Sequence, residues 1–185
     1  MLRNSSTAYG LLAVFLHWVM ALLIFILFPL GIYMTNLSYY DHWYKTSFFW
    51  HESTGMLVLA LLLFRLLWRW MNIMPDQLDT IPRLQARAAQ TAHWLFYILM
   101  FVICISGYFI TTAEGQAINV WNIFTVAAIS SFESGFADKA GTVHWYSALF
   151  IILLAVIHTL AALYHHVVLK DKILINILKG DQHDK

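Results

Sequence analysis

His144 and His158 stand fourteen residues apart on one apolar segment, and His17 and His51 each lie near the start of another. A helix turns about 100° and rises about 1.5 Å per residue. Fourteen steps therefore return to within about 40° of the same face, roughly 21 Å further along the axis. A neutral imidazole offers one ring nitrogen to a metal and one N–H to an acceptor, and heme iron takes such ligands axially. The spacing thus suits one ligand-bearing site near each side of a bilayer. Depth gives each histidine a partner. His17 is about six residues into its helix, roughly 9 Å from the inner end, and His158 is about ten residues, roughly 15 Å, from the inner end of its own. His51 is about four residues in from outside, and His144 opens the last apolar segment there. Two bis-histidine hemes stacked across a membrane are expected, with His17 facing His158 and His51 facing His144. Zinc fits less well, because it wants three or four ligands converging at one point.

The elements that must hold these residues are membrane helices. The chain has 185 residues, 61% of them hydrophobic and only 11% charged, against roughly 25% charged in a typical soluble domain. No Asp, Glu, Lys or Arg occurs between Asn4 and Tyr40, Ser53 and Phe64, Ala88 and Ala113, or Ala140 and Leu169. A bilayer-spanning helix needs about 20 mostly apolar residues. Four spans are expected at about 11–34, 47–70, 91–113 and 143–168, forming an all-α four-helix transmembrane bundle as one domain over 1–185. Sustained period-2 alternation is missing, which disfavours a β-barrel. The first apolar run is too long for a signal-peptide core and is taken as a retained helix.

Lys and Arg placement sets the orientation. Arg3, Arg65, Arg69, Arg83, Arg87, Lys170, Lys172, Lys179 and Lys185 fall on one side, and only Lys45 and Lys139 on the other. Both termini are therefore expected in the cytoplasm, with the protein multi-pass in an inner membrane. Cys104, the single cysteine, reads as a small buried apolar residue. Without a C-x-x-C-H motif, covalent heme attachment is excluded.

Pro82 suits the first turn of a helix, with Arg83 and Arg87 on one face. Segment 114–142 is the longest outer connection, and its Ala117–Ser131 stretch is apolar enough to lie on the membrane surface. Lys170–Lys179 reads as a short interfacial helix. His93 opens the third span from inside, and His165 and His166 close the fourth. His93 and His165 are too near the surface to pair with His17, yet with Arg83 and Arg87 they could form a cationic or proton-donating rim beside the inner heme. Arg65 and Arg69 could reach its propionates, or simply follow the positive-inside rule. Gly55 shares a face with His51 and could admit a porphyrin plane. Gly31 and Gly107 serve equally well for close helix packing. His42 and His183 read as solvated.

This pattern resembles the bacterial cytochrome b561 family over nearly the whole chain. The matching pieces are Phe15-Leu16-His17-Trp18, Trp50-His51-Glu52-Ser53-Thr54-Gly55 and Phe64-Arg65-Leu66-Leu67-Trp68-Arg69. Ala92-His93-Trp94-Leu95-Phe96-Tyr97 and Ile105-Ser106-Gly107-Tyr108 follow, then Val143-His144-Trp145 and Val156 to His166. The resemblance implies two non-covalent b hemes on His17, His51, His144 and His158, with electron exchange with the quinone pool. One branch of that family oxidises superoxide outside and reduces ubiquinone near the inner heme. There the histidine matching His165 lies at the quinone site.

Three functions follow as expectations. The first is a diheme electron-transfer cytochrome of a respiratory chain, whose filled axial positions confine chemistry to heme edges and an adjoining quinone pocket. The second is a heme-bearing membrane anchor or electron relay for a periplasmic donor or other docking protein, with the 114–142 loop as contact surface. The third is a non-heme bundle. Nothing in the chain points to nucleic acid. Whether the protein is itself a quinone-linked oxidoreductase is left open by the residues. Superoxide meets an obstacle: outside, Lys45 and Lys139 are outnumbered by Asp41, Glu52, Glu114, Glu133 and Asp138, and a negative face slows an anion's approach.

Overall fold

The computed structural model describes residues 1–6, 8–75, 82–129, 131–171 and 173–179. Four long helices run in order: α1 (Leu11–Thr35), α2 (Tyr44–Trp70), α3 (Arg83–Thr112) and α4 (Phe136–Tyr164). All four are long and apolar enough to cross a membrane. A helix satisfies its backbone polar groups internally, which hydrocarbon demands. Phe15, Leu22, Ile26, Phe150, Leu153 and Leu160 stay exposed on the outside of the bundle, facing where lipid would lie.

Three helices begin earlier than the apolar runs imply, α2 by only about three residues, at Tyr44. α3 starts at Arg83, directly after Pro82, and not at 91. Its first turns, Arg83–Gln90, are built of strong helix formers. The helix proposed at Pro82 and the third span are therefore one element. α4 starts at Phe136, after Gly135 in a left-handed conformation (φ 84°), and not at 143. Hydropathy marks where a helix meets hydrocarbon, not where its hydrogen bonding begins. At its far end α4 widens into a π-helical turn, His165–Leu169. The expected interfacial helix is α5 (Ile173–Lys179), whose Ile177 carbonyl accepts a hydrogen bond from the α1 indole Trp18 Nε1 at 2.9 Å.

Neighbours in sequence are neighbours in space: α1 lies along α2, α2 along α3, and α3 along α4. Among the described residues α4 does not pack its backbone closely against α1 or α2. The gap between α4 and those helices is where the histidine pairs stand. At mid-depth Met20, Leu62, Tyr97, Met100 and Ile151 close into a buried cluster. Ile151 is seven residues from both His144 and His158, about two turns from each on the same face. The cluster is thus a dry partition between two ends.

The outer connection contains strand, so the bundle is not purely helical. Ile118–Val120 and Phe124–Val126 form an antiparallel hairpin, β1 and β2. Ile118 and Val120 alternate inward with exposed Asn119 between them, the period-2 pattern of a half-buried strand. They pack with Tyr108 of α3. Ser53 Oγ of α2 accepts from the Trp121 backbone N–H at 3.1 Å and donates to the Asn119 carbonyl at 3.3 Å. Tyr108 Oη donates to the Ala127 carbonyl at 2.7 Å. The hairpin therefore caps the outer end of the bundle.

Candidate functional site

α2 carries His51 seven residues from its start, and α4 carries His144 eight from its own. The two outer histidines lie deeper in their helices than the apolar runs implied, His51 by about three residues and His144 by about seven, which brings them level. Their ring centroids are 6.1 Å apart with planes at 65°. At the other end His17 and His158 are 6.5 Å apart with planes at 58°. A metal between two imidazoles, with bonds of about 2 Å and about half a ring on each side, sets centroids about 6 Å apart. Both separations have that size.

Local contacts orient the outer pair. His144 Nδ1 lies 2.9 Å from the Ile103 carbonyl, which can only accept. The ring proton therefore sits on Nδ1, and Nε2 keeps its lone pair free, the arrangement seen in metal-ligating histidines. Ser106 Oγ lies 3.3 Å from the same nitrogen. His51 Nδ1 is buried and has no hydrogen-bond partner among the described residues. Glycines seat both rings. A Cβ on Gly107 of α3 would meet His144 Cε1 at 3.0 Å, and one on Gly31 of α1 would meet His51 Cε1 at 3.2 Å. Gly55 faces open space. That space is a cavity of about 340 Å3 bounded by His51, His144, Gly31, Gly55, Gly107 and Ile151, among others. Glu52 also borders it, accepting a hydrogen bond from Thr111 Oγ1 at 2.8 Å.

The inner cluster holds a third ring. Because α3 starts at Arg83, His93 is ten residues inside the helix and not at its opening. Its ring stands 5.6 Å from His158, nearer than that of His17. His93 therefore leaves the expected surface rim and joins the interior. Arg65 and Arg69 each place a guanidinium 5.8 Å from the Tyr97 ring. Neither pairs with a carboxylate among the described residues. Arg65 Nη2 also reaches His17 Nδ1 at 3.4 Å. Tyr9, just before α1, lies outside every expected span, and no spacing marks it. Burial pushes its hydroxyl above the ordinary tyrosine value, with Arg69 and Arg65 close enough to pull the other way.

The rest of the rim disperses. Arg83 and Arg87 line a shallow depression with Ala86 and Gln90 at the start of α3. His165 pairs through Nδ1 with Asp171. His42 is exposed, and His183 lies outside the described residues, as do Asp76 and Asp79.

Two curated proteins resemble this chain over nearly its full length. "Cytochrome b561 homolog 2" of Escherichia coli (strain K12) is 36% identical over 181 residues, covering 98% of this chain and 96% of that one. "Probable superoxide oxidase CybB" of Yersinia pestis is 27% identical over 174 residues, covering 92% and 95%. The family model described as prokaryotic cytochrome b561 matches residues 8–180. The chain belongs to the prokaryotic cytochrome b561 family. It is a multi-pass membrane b-type cytochrome that takes part in electron transfer and uses heme b.

The residues of this b561 chain fit such a group. At the outer end an unpartnered imidazole nitrogen, an imidazole with its tautomer already fixed and an apolar cavity with a missing side chain at Gly55 are what a heme plane needs. A cavity of this size lies within the usual range of about 300–1,000 Å3 for ligand pockets. At the inner end, an axial role for His17 through Nε2 requires Nδ1 to carry the proton. Arg65, which can only donate, must then turn to another acceptor. A heme propionate is an anion of the right kind, and Arg69 stands beside it.

Proposed function

We propose that this b561 protein is a diheme cytochrome of the bacterial inner membrane, carrying electrons across the bilayer and exchanging them with a quinone near the cytoplasmic end. The observation that carries this reading is the face of α4 bearing His144 and His158. Each ring confronts a histidine of another helix across the gap α4 leaves. His51 and His144 hold the outer heme, and His17 and His158 the inner one. When bound, each heme supplies one-electron iron chemistry.

The chain's own residues do the rest. The Ile103 carbonyl and Gly107 fix His144, and Gly31 backs His51. The Met20–Leu62–Met100–Ile151 partition keeps water out between the two ends. Arg65 and Arg69 neutralise inner propionates. With two histidines holding each heme, substrates would exchange electrons at the heme edge. His93 stays off the iron and contributes a polar group beside the inner heme, where a quinone would lie.

Purified protein in vesicles containing a quinol should show reduction of its hemes with no other protein present. Hemes that stay oxidised through prolonged incubation with quinol would remove the quinone from the account.

Superoxide as outer donor is a second reading, supported by the name of the Yersinia relative. Glu52 turns into the cavity to meet Thr111, so it leaves the outer face. Exposed Asp41, Glu114, Glu133 and Asp138 still outnumber Lys45 and Lys139. That balance predicts slow reduction by an anion and acceleration as salt rises, because like charges are screened. Stopped-flow mixing of oxidised protein with superoxide at two ionic strengths checks this. Fast reduction that slows with salt would mean that a local positive entry outweighs the overall charge.

A further inference from the structure

Asp171 lies just beyond the π-helical turn that ends α4. His165 is seven residues from His158, nearly on the same face and about 10 Å closer to the end of the bundle. Both side chains of the His165–Asp171 pair are about one-seventh exposed, beside the exposed apolar residues Val167, Val168 and Leu169. The backbone is bent to bring them together. Lys170 adopts a left-handed conformation (φ 54°), and its N–H turns back to the His165 carbonyl. The Asp171 N–H reaches the same carbonyl at 3.2 Å. π-turns within helices occur frequently at functional sites, and strained non-glycine residues persist where the surroundings demand them.

We propose that Asp171 is a positioning residue for proton delivery: its carboxylate fixes the His165 ring so that Nε2 hands protons to a quinone at the inner end. This rests on the quinone reading above. A carboxylate can only accept, so Nδ1 carries the shared proton and Nε2 is the exchanging nitrogen. The same partnership orients histidines in acid–base catalysis. Reducing a quinone takes two electrons and two protons. Heme held at the inner end would supply the electrons one at a time, as a one-electron donor. One proton passes from Nε2 to a carbonyl oxygen as the N–H bond breaks and the O–H bond forms, and water on the cytoplasmic side restores it. The second proton comes from water by the same route.

The test uses the full-length, heme-loaded protein, reduced chemically and mixed with a short-chain ubiquinone. Asp171→Ala should slow heme reoxidation at saturating quinone about tenfold, the lower end for loss of an orienting partner. The quinone concentration for half-maximal rate should stay within about twofold, with hemes per chain unchanged. Asp171→Asn keeps an acceptor oxygen and should return the rate to within about threefold of wild type. In 15N-histidine-labelled protein, the His165 resonances, assigned by their loss in His165→Gln, should show Nδ1 protonated in wild type and Asp171→Asn only. An Asp171→Ala rate equal to wild type, or Ala and Asn variants equally slow, overturns the proposal while leaving quinone as substrate. A wild-type protein that quinone does not reoxidise overturns both.

Discussion

Replacing His17 or His158 with alanine should leave about one heme per chain, the outer one. Replacing His51 or His144 should leave the inner one. The pairing follows from geometry: the centroids within each pair are 6.1 and 6.5 Å apart, while the two sites are about 20 Å apart along α4. A heme that loses one axial ligand also leaves an uncovered apolar cleft, so the lost heme should not persist five-coordinate at full occupancy. His93 sharpens the comparison. Its ring is nearer to His158 than that of His17, so a contest for the inner iron is built into the cluster. With His17 as ligand, His93→Ala keeps two hemes and alters only the environment of the inner one. The alternative ligand set predicts the reverse, with His93→Ala losing a heme and His17→Ala keeping both. Heme content of the five single variants, measured beside reduced spectra, separates them.

The second large effect concerns a residue that carries no chemistry. Gly107→Val should empty the outer site and spare the inner one. The added Cβ alone would meet His144 Cε1 at 3.0 Å, and the branches of valine need more room. The ring is held by the Ile103 carbonyl, so it cannot yield without breaking the bond that fixes its tautomer. Overpacking of this kind costs about 1–3 kcal/mol. Valine gains roughly 0.5 kcal/mol or less over glycine in helix propensity, too little to offset the clash. The expected protein is folded, holds about one heme and has lost electron passage from the outer side. Retention of both hemes would mean that His144 has freedom its hydrogen bonds deny it.

Much of this was legible in the charge-free runs, because hydrocarbon tolerates so few alternatives. Four spans and the His144–His158 face could be read directly. Where those helices began could not. Arg83–Gln90 is helical yet polar, so apolarity alone cut α3 short and left His93 at the surface; reading Pro82 and its Ala-rich sequel as one helix with the span would have placed it inside. The same effect hides the depth of both outer histidines, by about three residues at His51 and about seven at His144, and the true helix starts bring the two closer to one level. The hairpin has a sequence signal of its own: Ile118-Asn119-Val120 and Phe124-Thr125-Val126 alternate around an Asn-containing turn. What no spacing could give was the tertiary detail of which carbonyl takes the His144 proton, which glycine faces which ring, and how Asp171 folds back on His165.

Two hemes in one chain, one near each side of the membrane, are tested most directly by counting heme per polypeptide in the purified wild-type protein, with a reduced-minus-oxidised spectrum of the same sample. About two b hemes per chain are expected. A value that stays at one in fully loaded protein would contradict this, leaving one histidine pair without an iron to share.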